Sequence, residues 1–153
     1  GGIELKASGG PQWTVGLWFW NGYPVGAAPE TGELLRCGTG GDGGRVSIGG
    51  SREAAGKLMV TFPGGSKSGL RAVGLREWHH LAVVGNREEV TIFLDGIPEL
   101  EFRQPGGTSP AVWRIGGSGG AAPFQGKIDE LTWHPRSLAA RELRALVGSI
   151  PGH

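Results

Sequence analysis

Two adjacent histidines, His79 and His80, and a scatter of paired carboxylates are the residues of this chain that could do acid–base or metal chemistry. The histidines stand in Trp78-His79-His80-Leu81-Ala82-Val83-Val84, an apolar run that reads as a β-strand. Successive strand side chains point to opposite faces, so the two imidazoles cannot chelate one ion together. No His or Cys pair at zinc spacing accompanies them. One is expected to be a core histidine bonded to backbone, the other to line the opposite sheet face. Glycoside hydrolysis with retention needs two carboxyls about 5–5.5 Å apart. Glu88-Glu89 and Asp129-Glu130 are adjacent pairs whose members diverge, and Glu99 and Glu101, on one strand face, read as solvated charges. No Gly-x-Ser-x-Gly elbow supports a serine nucleophile. The glycine runs 38–43 and 116–120 lack a following Gly-Lys-Ser/Thr, so they read as loops rather than phosphate cradles. Catalysis is not expected.

Binding is better served. A sugar ring stacks its apolar face on Trp or Tyr while nearby polar groups take its hydroxyls. Trp18, Trp20, Asn21 and Tyr23 lie at the end of one strand and in the loop after it. Trp20 and Tyr23 are the expected exposed pair, with Asn21 between them; Trp18 is expected to be buried. Trp13, Trp78 and Trp133 fit core positions between two sheets.

The elements that must position these residues are short and regularly spaced. Trp13 to Trp20 places Trp13, Val15, Leu17 and Phe19 on one face and Thr14, Gly16, Trp18 and Trp20 on the other. Large apolar groups on both faces make this a central strand. Further strands are expected at 3–7, 32–37, 44–48, 57–62, 70–75, 78–84, 89–94, 98–103, 111–115 and 124–133. The Asp95-Gly96 pair after Leu94 tolerates the positive φ angles of a type I′ turn. Strand starts every 8–14 residues or so, without a long helical period, give an all-β, two-sheet antiparallel jelly-roll sandwich. One short helix follows Leu138, with Leu138 and Leu143 placed as a hydrophobic staple. Ala139 stands where a capping Ser or Thr would serve, and Gly148 stands at the stop.

Length fits one domain over residues 1–153, and the strand-like start at Gly1-Gly2-Ile3 leads to the expectation of a domain cut from a longer protein. Gly 31 and Pro 10 exceed a quarter of the chain, but six Trp within strand-like blocks argue against disorder. The formal net charge is +1 and no basic stripe runs along the sequence, so a nucleic-acid partner is not expected. Nor is membrane insertion, since no stretch of about 18 apolar residues occurs. The single cysteine, Cys37, allows no internal disulfide and reads as a small packed residue.

The ordered series Trp78-His79-His80, Phe93-Leu94-Asp95-Gly96, Arg114-Ile115-Gly116, Gly126-Lys127-Ile128-Asp129-Glu130 and the final helix resembles the laminin-G-like branch of the concanavalin A-like lectin/glucanase superfamily. Glucanases of that superfamily carry a Glu-x-Asp-x-x-Glu run that this chain lacks. The resemblance implies a non-catalytic carbohydrate-binding module of an exported or surface protein, in an extracellular, periplasmic or cell-surface setting. A protein-interaction or spacer domain with no glycan ligand is the other expectation. It also implies one structural calcium ion, for which Glu4 and Asp129 are the matching carboxylates; the competing reading of Asp129 is a cap on backbone donors at a β-bulge.

Overall fold

The computed structural model describes residues 3–6, 10–22, 33–37, 44–48, 56–62, 64–104, 112–117, 124 and 126–148. Eleven strands and one helix are assigned within them. They are β1 (Ile3–Lys6), β2 (Gln12–Asn21), β3 (Leu35–Cys37), β4 (Arg45–Ile48), β5 (Lys57–Phe62), β6 (Gly65–Ala72), β7 (Trp78–Asn86), β8 (Glu89–Leu94), β9 (Ile97–Arg103), β10 (Val112–Ile115), β11 (Gly126–His134) and α1 (Ala140–Val147). Two antiparallel sheets form, one in the order β1-β10-β3-β4-β5-β6 and the other β11-β2-β7-β8-β9. This is the jelly-roll sandwich that the strand cadence demands. No helix among the described residues is long and apolar enough to cross a membrane.

The core lies between the sheets. Trp13, Val15, Leu17 and Phe19 of β2 meet Leu81 and Val83 of β7, Val90, Ile92 and Leu94 of β8, and Leu35, Val46, Leu58, Val60 and Trp113 of the facing sheet. Each such side chain removed from water contributes about 1.5–3 kcal/mol before the entropy of ordering it. Trp13 packs 5.2 Å from Trp113 and 6.3 Å from Trp133, centroid to centroid. Gly85 opposite Trp13 leaves room for that indole: a Cβ there would lie 2.1 Å from the ring. Cys37 is buried, its Sγ accepting the Gly44 N–H at 3.0 Å, and burial pushes its thiol pKa up.

Local chemistry sets the turns. Asp95 and Gly96 have φ of 53° and 79°, the two positive values of a type I′ turn. Midway along β11 the register shifts between Asp129 and Thr132, and Glu130 has φ 51°. The Asp129 Oδ1 accepts the Glu130 N–H at 2.8 Å, the bulge cap that was one of its two readings. Two expectations are corrected. The strand expected at 70–75 is β6, which begins at Gly65, because it pairs with β5 through Phe62↔Gly65 and Thr61↔Ser66. Glu99 is buried, not solvated: a register shift between Ile92 and Phe93 leaves it outside the β8 pairing, away from Glu101. Its carboxylate accepts the Leu70 and Arg71 N–H groups at 3.2 and 2.9 Å and the Arg71 Nε at 2.9 Å, fastening the edges of the two sheets together.

The helix packs on the outer face of the five-stranded sheet, where Leu138 and Leu143 bury against Ala82, Val84 and Phe93. The staple therefore forms. The Leu138 N–H donates to Thr14 Oγ1 at 3.0 Å and the Ser137 hydroxyl to the Gly85 carbonyl at 2.6 Å, tying the approach to the helix to β2 and β7. Half a capping box exists: Glu142 accepts the Ala139 N–H at 3.1 Å, but the alanine methyl can accept nothing in return. Gly148 ends the helix in right-handed geometry, φ −65°, rather than the left-handed turn its type would permit. Ala139→Ser completes the box and is expected to stabilise the domain by about 1 kcal/mol. A urea midpoint that does not rise in this variant would refute it.

Candidate functional site

The outer face of the five-stranded sheet is divided between α1 at one end and tryptophans at the other. Along β2 the even residues Thr14, Gly16, Trp18 and Trp20 face outward, opposite the core set. Trp18 is only 4% exposed, its ring edge-to-face with His80 at 5.2 Å. Trp20 is half-buried, and the Lys127 ammonium lies 4.9 Å from its ring centroid, a cation–π contact. Its cross-strand partners are Lys127 on one side and Trp78 on the other. Directly opposed strand residues hold their Cβ atoms about 4.5–5.5 Å apart on one face. Lys127, Trp20 and Trp78 thus form a short outward-facing row across β11, β2 and β7, with both indoles half-buried.

This corrects the placement of Trp78 in the core. His79 faces inward, so parity turns Trp78 out. The signal was available in the histidine pair, since a core His79 already requires an outward Trp78. The other expected ligand residues separate. Asn21 is buried on the opposite face from Trp20, its backbone carbonyl accepting the Arg76 N–H at 2.8 Å. Tyr23 lies outside the described residues.

Beneath the row sits a polar hub. The His79 Nδ1 is 2.8 Å from Asp95 Oδ2, and its Nε2 is 3.1 Å from the Gly74 carbonyl and 3.2 Å from Glu77 Oε1. Both ring nitrogens face acceptors, which calls for a donor on each and hence the imidazolium. Burial pulls the His79 pKa down, but the Asp95 carboxylate, the Gly74 carbonyl and Glu77 outweigh it, leaving it raised. For Asp95, burial pulls upward, but the His79 and His80 hydrogen bonds and the charges of His79 and Arg71 hold the carboxyl below its ordinary value. The His80 N–H donates to Asp95 Oδ1 at 2.8 Å. The His80 imidazole, against Trp18, is pushed down to about 4 by burial. The two histidines therefore do line opposite faces, with pKa values moved in opposite directions.

Glu4 and Asp129 do not converge. Glu4 is on the outer face of the six-stranded sheet, 3.2 Å from Arg114 Nη1, while Asp129 pairs with Trp18 on the outer face of the other sheet. The thickness of the sandwich, about 10 Å between sheets, separates them. No group of three His, Cys, Asp or Glu side chains among the described residues could hold a metal ion. This pair does not fit a shared calcium ion, and no role for calcium is derived from it.

A two-sheet antiparallel sandwich with this strand order defines a lectin-like jelly-roll class. A family model described as the concanavalin A-like lectin/glucanases superfamily, of laminin-G type, matches residues 4–144, and the chain belongs to that family. Among solved structures, domain 4 of an extracellular arabinanase from Geobacillus stearothermophilus, in complex with arabinotriose, is 20% identical with a TM-score of 0.68, covering 95% of this chain and 72% of that one. A heptameric pentraxin from Limulus polyphemus is 16% identical, TM-score 0.66, over 94% of this chain and 72% of that one. The Trypanosoma rangeli sialidase is 16% identical, TM-score 0.70, over 89% of this chain but 22% of that one. At these identities the likeness shows the fold alone. No curated relative matches the chain.

Proposed function

We propose that this domain is a non-catalytic glycan-binding module acting outside the cell, with the Trp20–Trp78 row as its stacking platform. The observation that carries the reading is the pairing of two half-buried indoles side by side, outward, on a rigid central sheet beyond the reach of α1. Two indole faces suit the apolar side of sugar rings, and the Lys127 ammonium beside them can donate to ring hydroxyls. The arabinotriose-bearing arabinanase domain, from an extracellular enzyme, supports both the ligand class and the setting. A non-catalytic role is supported by where the carboxylates go. Asp95 is committed to His79, Glu99 to Arg71, and Glu33 to Arg36 and Arg45.

A glycan array probed with the wild-type domain and with Trp20→Ala tests this. The expected result is binding to a neutral oligosaccharide that falls about 10-fold or more in the variant, corresponding to about 1.4 kcal/mol. A blank array from folded protein would overturn the reading in favour of a protein-interaction or spacer domain.

A further inference from the structure

The turn that leads into the tryptophan platform is built around His79. Residues 74–77 join β6 to β7 between two fixed points. On one side Val73 is buried in the core, its N–H on the Gly56 carbonyl at 2.6 Å; on the other Trp78 begins β7. The Arg76 N–H reaches the Asn21 carbonyl, one residue past Trp20, at 2.8 Å. Two further contacts converge on His79 Nε2, from the Gly74 carbonyl at 3.1 Å and from Glu77 Oε1 at 3.2 Å. Glu77 gets there by folding back over Gly74, where a Cβ would lie 1.7 Å from its Oε1. Arg76 has φ 59°, a left-handed value that a non-glycine residue keeps only while its surroundings hold it there.

The imidazole is fixed from its other side. Nδ1 lies 2.8 Å from Asp95 Oδ2, and the ring packs 5.6 Å from Phe19 in the core. A neutral imidazole has one donor and one acceptor. Because the Asp95 carboxylate keeps the N–H on Nδ1, a neutral His79 would aim the Nε2 lone pair at a carbonyl oxygen and a carboxylate oxygen. Only the imidazolium donates to both sides. The charged groups facing the ring are Asp95 from the β8–β9 turn and Glu77 from the turn before β7. Arg71 of β6 acts on Asp95 and is itself held by Glu99 of β9. Burial lowers the His79 pKa, yet Asp95, the Gly74 carbonyl and Glu77 leave it raised, so the proton is lost on the alkaline side of the ordinary histidine range.

We infer that His79 is a proton-operated latch on the tryptophan platform: the imidazolium clasps the Gly74–Glu77 turn and sets Trp78 beside Trp20, and loss of the Nε2 proton releases the turn and loosens that pairing. Trp78 is the susceptible partner. The Trp20↔Trp78 pair is the last rung of the β2–β7 ladder, and end rungs open first. Trp20 is paired on both sides, to β11 and to β7, and keeps its place. Once Nε2 repels both acceptors, the left-handed Arg76 loses the contacts that flank it and can relax. The platform is therefore whole at acid and neutral pH and weakens as pH rises through the folded-state pKa of His79. The inference rests on the proposed function for its ligand only; the movement of the turn needs none.

The test is a pH titration of the isotope-labelled domain followed by NMR. The His79 imidazole, the Trp78 indole N–H and the Arg76 amide are expected to shift with one shared midpoint, while the Trp20 indole moves little. Glu77→Gln keeps an acceptor but removes the charge from a side chain that is 60% exposed, and is expected to lower the midpoint by about 0.5 pH unit without unfolding the domain. Gly74→Ala, which displaces Glu77, should shift it the same way. Affinity for the neutral oligosaccharide that the array selects is expected to fall about 5-fold across that midpoint. By reciprocity, saturating oligosaccharide should raise the His79 midpoint by about 0.7 unit. Trp78 and Arg76 signals that stay still while His79 titrates overturn the latch, as does a shared midpoint that neither variant moves. Coupled movement with an affinity indifferent to pH overturns its hold on the platform. Coupled movement with a blank array upholds the latch and overturns the proposed function instead.

Discussion

Replacing Asp95 with alanine is expected to destabilise the domain by about 2–4 kcal/mol, because it strands the buried His79 imidazole and removes two hydrogen bonds made by a part-exposed carboxylate. Asp95 does three things at once. Its Oδ2 holds the inward-facing His79, its Oδ1 accepts the His80 N–H, and its backbone takes φ 53° in the turn between β8 and β9. Alanine abandons both hydrogen bonds and tolerates positive φ less well than aspartate. The His79 Nδ1–H would then be left in a site only 7% exposed. Asp95→Asn keeps the turn and an acceptor but loses the charge, so it should fall between wild type and alanine. Urea unfolding at neutral pH decides it: a loss below about 1 kcal/mol for the alanine variant would mean that the hub is not an anchor of the fold.

The same hub shows what the chain reveals unaided. The β7–β8–β9 meander was legible because its signals are local: alternation in Trp78 to Val84, alternation in Glu89 to Leu94, and an Asp-Gly pair with the backbone freedom a type I′ turn requires. The staple of Leu138 and Leu143 was legible for the same reason. What escaped is whatever depends on pairing between distant strands. Arg36, Arg45 and Arg114 are unremarkable in sequence, and only the registers Arg114↔Arg36 and Arg36↔Arg45 make them a row. That is why a chain without a basic stripe in its sequence can still set three arginines side by side. Glu99 escaped because a bulge, which adds one residue and reverses parity, is invisible to strict alternation. Glu4 and Asp129 were joined by resemblance, and strand order alone sends them to opposite outer faces. Trp20 was legible as outward, yet Asn21, one residue on, had to be inward by the same rule.

Adjacent histidines whose pKa values move in opposite directions should cost the domain stability on both sides of neutrality, through His80 toward acid and through His79 toward alkali. His80 is the stronger lever. Its pKa is about 4 in the folded state against 6.5 as an ordinary histidine, so the unfolded chain binds a proton that the folded one refuses. Its contribution is fully present above pH 6.5 and is lost as pH falls toward 4. At 1.36 kcal/mol per unit the loss is about 3 kcal/mol. His79 runs the other way. Its pKa is raised, so its contribution is complete below 6.5 and is lost as pH climbs through its folded-state value. Asp95, held below the ordinary carboxylate range, adds a further loss only when pH falls through its own folded-state value. The groups around the pair are Asp95, Glu77 and Arg71 toward His79, and Trp18, Thr132 and the Asp95 carboxylate toward His80. Urea midpoints measured across the acid and neutral range should therefore rise and then fall, and His80→Gln should flatten the acid limb while sparing the alkaline one. Imidazole proton shifts give the independent check, with His79 remaining protonated after His80 has long been neutral. If both histidines titrate together near 6.5, the pocket does not distinguish them, and the opposed environments read from Asp95, Gly74 and Trp18 would be wrong. The hub also serves the tryptophan platform, because Trp78 precedes this pair and takes its outward direction from the inward anchoring of His79.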